Sequence, residues 1–187
     1  LAAEATALGV DILTGFAGQS LWLDNTTVIG IKTGDMGLDA NGQPCPQMSP
    51  GVRIQAQSTW LAEGCRGHLA EQAIDQFKLR QTPQHYALGV REIWQAPSQP
   101  GRVIHTVGWP LAPQTYGGGF IYHYPNDRIA IGWVTGLNQA DPHLDPHHHL
   151  QCFKTHPSIA PWLRQGKRVG YGARTLNEGG WQALPQL

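Results

Sequence analysis

Apolar and polar positions alternate most clearly from Gln84 onward. "HYALGVREIWQA" (85–96) and "RVIHTVGWPL" (102–111) read as strands flanking the turn "PSQPG". "TYGGGFIYHYPNDRIAIGWVTG" (115–136) reads as a hairpin that turns at Pro125-Asn126-Asp127. Upstream, "VDILTGFAGQSLWL" (10–23) and "TTVIGIKTG" (26–34) are rich in β-branched and apolar residues, and pair around "LDN". "VRIQAQSTWLA" (52–62) alternates early and becomes apolar late, the pattern of a strand running inward. Residues 34–50, with "NG" and several prolines, read as a turn-rich loop. Helical patterns are fewer. One covers residues 2–8 and stops at Gly9. A second follows the tight turn "EGCRG". A third, of about 16 residues, starts with Asp145 as N-cap and Pro146 at the first helical position. "KRVGYGARTLNEGG" (167–180) then returns as a strand ending in a glycine loop. Strands outnumber helices in mixed order, so the expected fold class is α+β, with a mixed or antiparallel sheet and a few helices.

The composition narrows the partners. With 187 residues, 41% hydrophobic and 14% charged, the chain has enough apolar matter for a core, as one compact domain or two small ones. Thirteen Lys and Arg balance thirteen Asp and Glu. That balance argues against a nucleic-acid partner, which needs a basic patch. No apolar run approaches the roughly 20 residues that span a bilayer. Cys45, Cys65 and Cys152 are odd in number and widely spaced, with no CxxC pair. A disulfide framework and a cysteine-ligated zinc or iron–sulfur site are not expected, and an intracellular, reducing setting is. The chain opens at Leu1 inside a helical pattern and closes on "GGWQALPQL" without a cap. It is expected to be a section of something longer.

Four stretches carry candidate chemistry. In "LAEGCRGHL" (61–69), Gly64 and Gly67 allow close approach to a helix N-terminus that suits phosphate, and Arg66 adds charge. An ordinary strand-to-helix turn explains the same residues. In "TYGGGFIYH" (115–123), the glycines either form a bulge or permit close packing. Alternatively they leave a groove where a flat ligand such as a quinone meets the main chain, lined by Tyr116 and Phe120. His148 or His149, Cys152 and His156 share a helix face that could hold a soft divalent ion, or serve simply as surface. "ARTLNEGGW" (173–181) puts Asn177 and Glu178 at a strand end, where loops position polar groups. No dinucleotide fingerprint, P-loop, metalloprotease motif or nucleophile elbow is present, and no catalytic residue is assigned.

Taken together, "AEGCRGHL", "HTVGWPL" (105–111), "TYGGGFIYH", "THPSI" (155–159) and "KRVGYGARTLNEGG" resemble, in order and spacing, the middle of the electron transfer flavoprotein–ubiquinone oxidoreductase family. The resemblance implies part of an FAD domain (1–83), a ubiquinone-binding domain (84–170) and a segment returning to the FAD domain (171–187). It implies quinone contacts at Tyr116, Gly117 and Gly118, with Phe120 beside them. It implies FAD contacts at Gly64, Cys65, Arg66, Asn177, Glu178 and Gly179. In the whole family protein, electrons pass from reduced electron transfer flavoprotein through FAD and a [4Fe-4S] cluster to ubiquinone, peripherally at a bacterial or mitochondrial inner membrane. The FAD fingerprint and the cluster cysteines lie outside this sequence. The chain alone is therefore expected to hold neither cofactor, to be soluble and inactive as an oxidoreductase, and to self-associate through apolar surface. Two other readings are an autonomous, non-catalytic module for a flat apolar ligand, and a metal- or partner-binding protein using the histidine helix.

Overall fold

The computed structural model describes residues 1–185 and divides the chain into two compact units, residues 1–81 and 82–184. In the first unit, helix α1 (Ala2–Ala7) precedes strands β1 (Gly18–Asp24), β2 (Thr27–Thr33), β3 (Met36–Leu38), β4 (Pro44–Ser49) and β5 (Arg53–Gln55), then helix α2 (His68–Phe77). β1, β2 and β5 form one antiparallel sheet in the order β1-β2-β5. α2 packs on β1, where Gly18 leaves room for Leu69. Gln72 fixes that contact by accepting from Leu21 N–H and donating to the Gln19 carbonyl.

The stretch expected to be a loop, residues 34–50, contains the β3–β4 hairpin. Both strands are edges, where Pro44 and Pro46 cost no central ladder bond, so the prolines that suggested a loop are tolerated. The inward strand expected over 52–62 is paired only at Arg53–Gln55.

The second unit is one antiparallel sheet with helices on one face. It comprises β6 (His85–Gln95), β7 (Val103–His105), β8 (Gly117–Tyr124), β9 (Arg128–Gly136), α3 (Pro146–Thr155), α4 (Ala160–Leu163) and β10 (Lys167–Glu178), followed by a 3-10 turn at Gly180–Ala183. The spatial order is β10-β6-β9-β8-β7. The β8–β9 hairpin turns where expected, and Asn126 and Asp127 take the left-handed conformation that these residues tolerate. Asp145 caps α3 by accepting from His147 N–H at 2.8 Å. The expected long helix is instead two, α3 and α4. Pro157 disfavours helical backbone at His156, whose ψ is 135°. No helix among the described residues is long and apolar enough to cross a membrane. This antiparallel, helix-poor architecture is the expected α+β class.

The two faces of this sheet differ. Ile121, Ile129, Ile131 and Trp133 point to one face, beneath Leu150 and Phe153 of α3 and Leu163 of α4. Gly119 makes this contact possible, because a Cβ there would stand 2.5 Å from the Phe153 ring. Glu92 is buried on the same face. It accepts from Lys154 Nζ at 2.8 Å, Trp94 Nε1 at 2.8 Å and Arg168 Nη1 at 3.1 Å. His123 and His149 also lie within this layer. His123 accepts Gln99 N–H on Nδ1 and meets Trp162 edge-on, while His149 stacks on Trp133.

These groups set the acid response. Burial holds His123 and His149 below the ordinary imidazole range, so the unfolded chain takes up protons that the folded one refuses. Their contribution is complete above the ordinary histidine pKa and is lost as pH falls through it. Burial raises the Glu92 carboxyl, but hydrogen bonds from Lys154, Trp94 and Arg168 outweigh this and hold it below its usual range. Its contribution is complete above the ordinary glutamate pKa and falls away below it. Urea unfolding followed against pH should therefore show two stages of loss on acidification. Glu92→Gln should shrink the lower stage to what Asp145 and Glu71 contribute and destabilise the neutral protein by about 3 kcal/mol, since Lys154 is left nearly buried without its partner. An unchanged lower stage in the variant would refute the assignment.

Candidate functional site

The other face of the second unit's sheet carries no helix of this unit, and small residues occupy its centre. Because side chains alternate, the positions facing this way include Ala87 and Gly89 on β6, Ala130, Gly132 and Gly136 on β9, and Gly172 on β10. Phe120 folds its ring over Gly132, and Leu176 lies over Gly89. The result is a groove of about 450 Å³ whose walls include Phe120, Val134 and Leu176.

At one end of this face the register aligns Leu176, Ala87, Gly136 and the start of β8 in a row. Tyr116, at that start, lies against Gly136 and is exposed. The neighbouring Glu178 carboxylate, by its charge and as hydrogen-bond acceptor, raises the Tyr116 hydroxyl above its ordinary range. Residues assigned by resemblance to a quinone site and to a flavin site thus meet. Tyr116 reaches Glu178 because the positions between them on β9 and β6 are Gly136 and Ala87.

The three glycines of β8 have distinct surroundings. Gly119 lies under Phe153. Gly118 abuts the Thr106 carbonyl, 2.0 Å from where a Cβ would be, and its main chain is paired with Val134. Gly117 lies against Leu111 and the Val134 carbonyl with φ +155°. Each side-chain space is therefore filled by the protein itself. The main chain is what remains available. Gly119 donates to Thr106 Oγ1 and accepts from Thr106 N–H, both at the outer edge of β8. By alternation Gly117 presents its N–H and C=O to the same edge, beyond the end of β7 at His105. Phe120 is in the groove rather than at that edge.

Gly64, Cys65 and Arg66 lie in the first unit, in the turn before α2, with Gly64 at φ +89°. Asn177, Glu178 and Gly179 end β10 in the second unit, with Gly179 at φ +103°. The helix N-terminus that the sequence offered to a phosphate is already occupied. Glu63 accepts from Leu69 N–H at 3.2 Å and Ala70 N–H at 2.8 Å, and its side chain fills the space beside Gly67. The spacing "E…GHL" could have suggested this cap; the glycines drew attention to the turn instead.

The histidine helix spreads its ligands among separate neighbours. His147 meets Gln151, His148 meets Cys152 Sγ at 3.4 Å, His149 turns to Trp133, and His156 meets Trp109. Among the described residues no group of three or more His, Cys, Asp or Glu is placed to hold a metal ion.

The fold is shared with solved structures. A geranylgeranyl bacteriochlorophyll reductase-like protein from Thermoplasma acidophilum matches with a TM-score of 0.62 at 14% identity, over 93% of this chain and 39% of that one. A flavoprotein/dehydrogenase from Cytophaga hutchinsonii matches with a TM-score of 0.54 at 16% identity, over 95% and 40%. Residues 86–176, nearly all of the sheet unit, match the family model described as "ETF-QO, ubiquinone-binding". The chain is 45% identical over 98% of its length to the mitochondrial electron transfer flavoprotein-ubiquinone oxidoreductase of Homo sapiens, and 43% identical over its full length to the Pseudomonas aeruginosa enzyme of that name. It belongs to the electron transfer flavoprotein–ubiquinone oxidoreductase family. It spans about a third of the length of these relatives, 31% and 35% respectively.

The Tyr116–Glu178 contact has a direct readout. The ultraviolet alkaline titration of the protein, minus that of Tyr116→Phe, isolates this phenol. Glu178→Gln should shift its ionisation to lower pH, toward the ordinary tyrosine value, because the neighbouring negative charge is gone. No shift would mean that the two groups do not interact in solution.

Proposed function

We propose that this chain is the ubiquinone-binding section of an electron transfer flavoprotein–ubiquinone oxidoreductase, and that the outer edge of β8 is where the quinone ring binds. The observation that carries this reading is the Gly117 main chain. Its N–H faces an edge with no strand beyond it, next to the exposed Tyr116 and inside the stretch that matches the ubiquinone-binding family model. A quinone is a flat apolar ring with two carbonyl acceptors. It needs a few donors on an apolar wall, and an edge N–H supplies one. Tyr116 supports the ring with its exposed aromatic face. Gly118 keeps the strand close to Thr106, and Phe120 contributes apolar surface from the adjoining groove.

In the longer protein, residues 1–83 are part of the FAD domain, 84–170 the quinone domain and 171–187 the return to the FAD domain. Gly64, Cys65 and Arg66 belong to the flavin side, as do Asn177, Glu178 and Gly179. Flavin chemistry there supplies the electrons that originate in reduced electron transfer flavoprotein, and a [4Fe-4S] cluster is carried elsewhere in that protein. Membrane contact is peripheral, and the isolated section self-associates through its uncovered apolar surface. The proximity of Glu178 to Tyr116 supports a short separation between the flavin-side and quinone-side segments.

The test is made in a full-length enzyme carrying this section. Gly117→Val should abolish ubiquinone reduction while flavin content stays normal, because the substitution displaces the edge against the Val134 carbonyl. Tyr116→Ala, which removes the supporting ring and leaves the main chain in place, should weaken quinone affinity about three- to tenfold, the effect of one lost aromatic contact. Loss of flavin in either variant, or unaffected quinone reduction in both, would overturn the reading.

A further inference from the structure

The groove on the open sheet face contains two charged groups that the quinone reading does not use. Arg91 on β6 and Arg174 on β10 both line it. The register pairs Arg91 with Gly172 and Arg174 with Gly89, so the two arginines sit diagonally on one face, each opposite a glycine. Glycines at these positions keep the floor low between two long cationic side chains, and a Cβ at Gly172 would meet nothing within 4 Å. Neither guanidinium has an ion pair or a hydrogen bond among the described residues. Arg168, by contrast, is paired with Glu92 on the other face of the sheet. An anion between these two arginines would receive directed, charge-assisted donors from neighbouring strands. The remaining walls, Phe120, Val134 and Leu176, are apolar. The volume of about 450 Å³ suits one small ligand.

We propose that this groove is a binding site for a small aromatic anion, with its ring against Phe120, Val134 and Leu176 and its carboxylate, sulfonate or phosphate group between Arg91 and Arg174. The site adjoins the β8 edge, shares Phe120 with it and differs from it in charge. It therefore stands whether or not a quinone binds there. Charge selects the occupant: an uncharged ring would leave both guanidiniums unanswered, and an inorganic anion would leave the apolar wall uncovered.

The probe is anilinonaphthalene sulfonate, followed by its fluorescence on titration into the purified chain. The uncharged N-phenyl-naphthylamine serves as its neutral counterpart. The double variant Arg91→Gln/Arg174→Gln should bind the sulfonate at least about tenfold more weakly, while binding of the neutral probe is unchanged. Equal sulfonate affinity in variant and parent, or an equal loss of both probes, would overturn the proposal. A second measurement needs no variant. Naphthoate should displace the bound sulfonate from the parent protein far better than naphthamide, and the advantage should shrink with added salt. Equal displacement by acid and amide would also overturn the proposal, whatever happens at the β8 edge.

Discussion

The close approach of α3 to the sheet, through the Phe153 ring seated on Gly119, is the contact on which the second unit depends. A side chain at that position would lift the helix from the sheet. The layer of Ile121, Ile129, Ile131, Trp133 and Leu150 would then open, and Lys154 would move away from the carboxylate it neutralises. Burying Glu92 is tolerable only while three donors reach it, and two of them come from outside its own strand. The helix position, the hydrophobic layer and the ion-pair network are one constraint. Filling one face of the sheet with large residues and a helix leaves the other face and the strand edge as the candidate surfaces for a ligand.

That division explains why some of the structure could be read from the sequence and some could not. The β8–β9 hairpin was legible because period-two alternation and the "PND" turn agreed. The cap and first turn of α3 were legible because Asp145 and Pro146 act locally. The break at Pro157 is also a local effect, because the residue before a proline leaves helical backbone. The β3–β4 hairpin was missed because prolines and glycines count as loop signals, whereas a two-stranded sheet made only of edges accepts them. At α2 the reading of a positively polarised helix end was physically sound. What the sequence concealed was that Glu63, one turn earlier, supplies the anion itself.

The candidate site was legible only in part. Of the two readings of "TYGGG", close packing is what the structure shows at all three glycines. Which groups approach them depends on strand order, and no local pattern encodes it. Thr106, Leu111 and Phe153 come from three different segments. The Tyr116–Glu178 pair is longer-range still. It requires β10 to lie outside β6, β6 beside β9, and small residues at each intervening position. Two segments read separately as quinone-side and flavin-side become neighbours only once the sheet has formed.

The candidate ligand surfaces of this unit are made largely of what is missing. Gly89, Gly132, Gly136, Gly172, Ala87 and Ala130 form a floor by lacking side chains, and the Gly117 edge is available because β7 stops early. Motif searches look for reactive side chains at fixed spacings, so such a surface gives them little to find. Its signature is instead a period-two run of small residues on three adjacent strands, each alternating with the large residues of the opposite face. β9 carries both patterns in one segment, Ile129, Ile131 and Trp133 against Ala130, Gly132 and Gly136. The alternation that builds the core under α3 is therefore the same one that clears the opposite face. A substitution of a β9 glycine to a larger residue would narrow the groove without adding to the core.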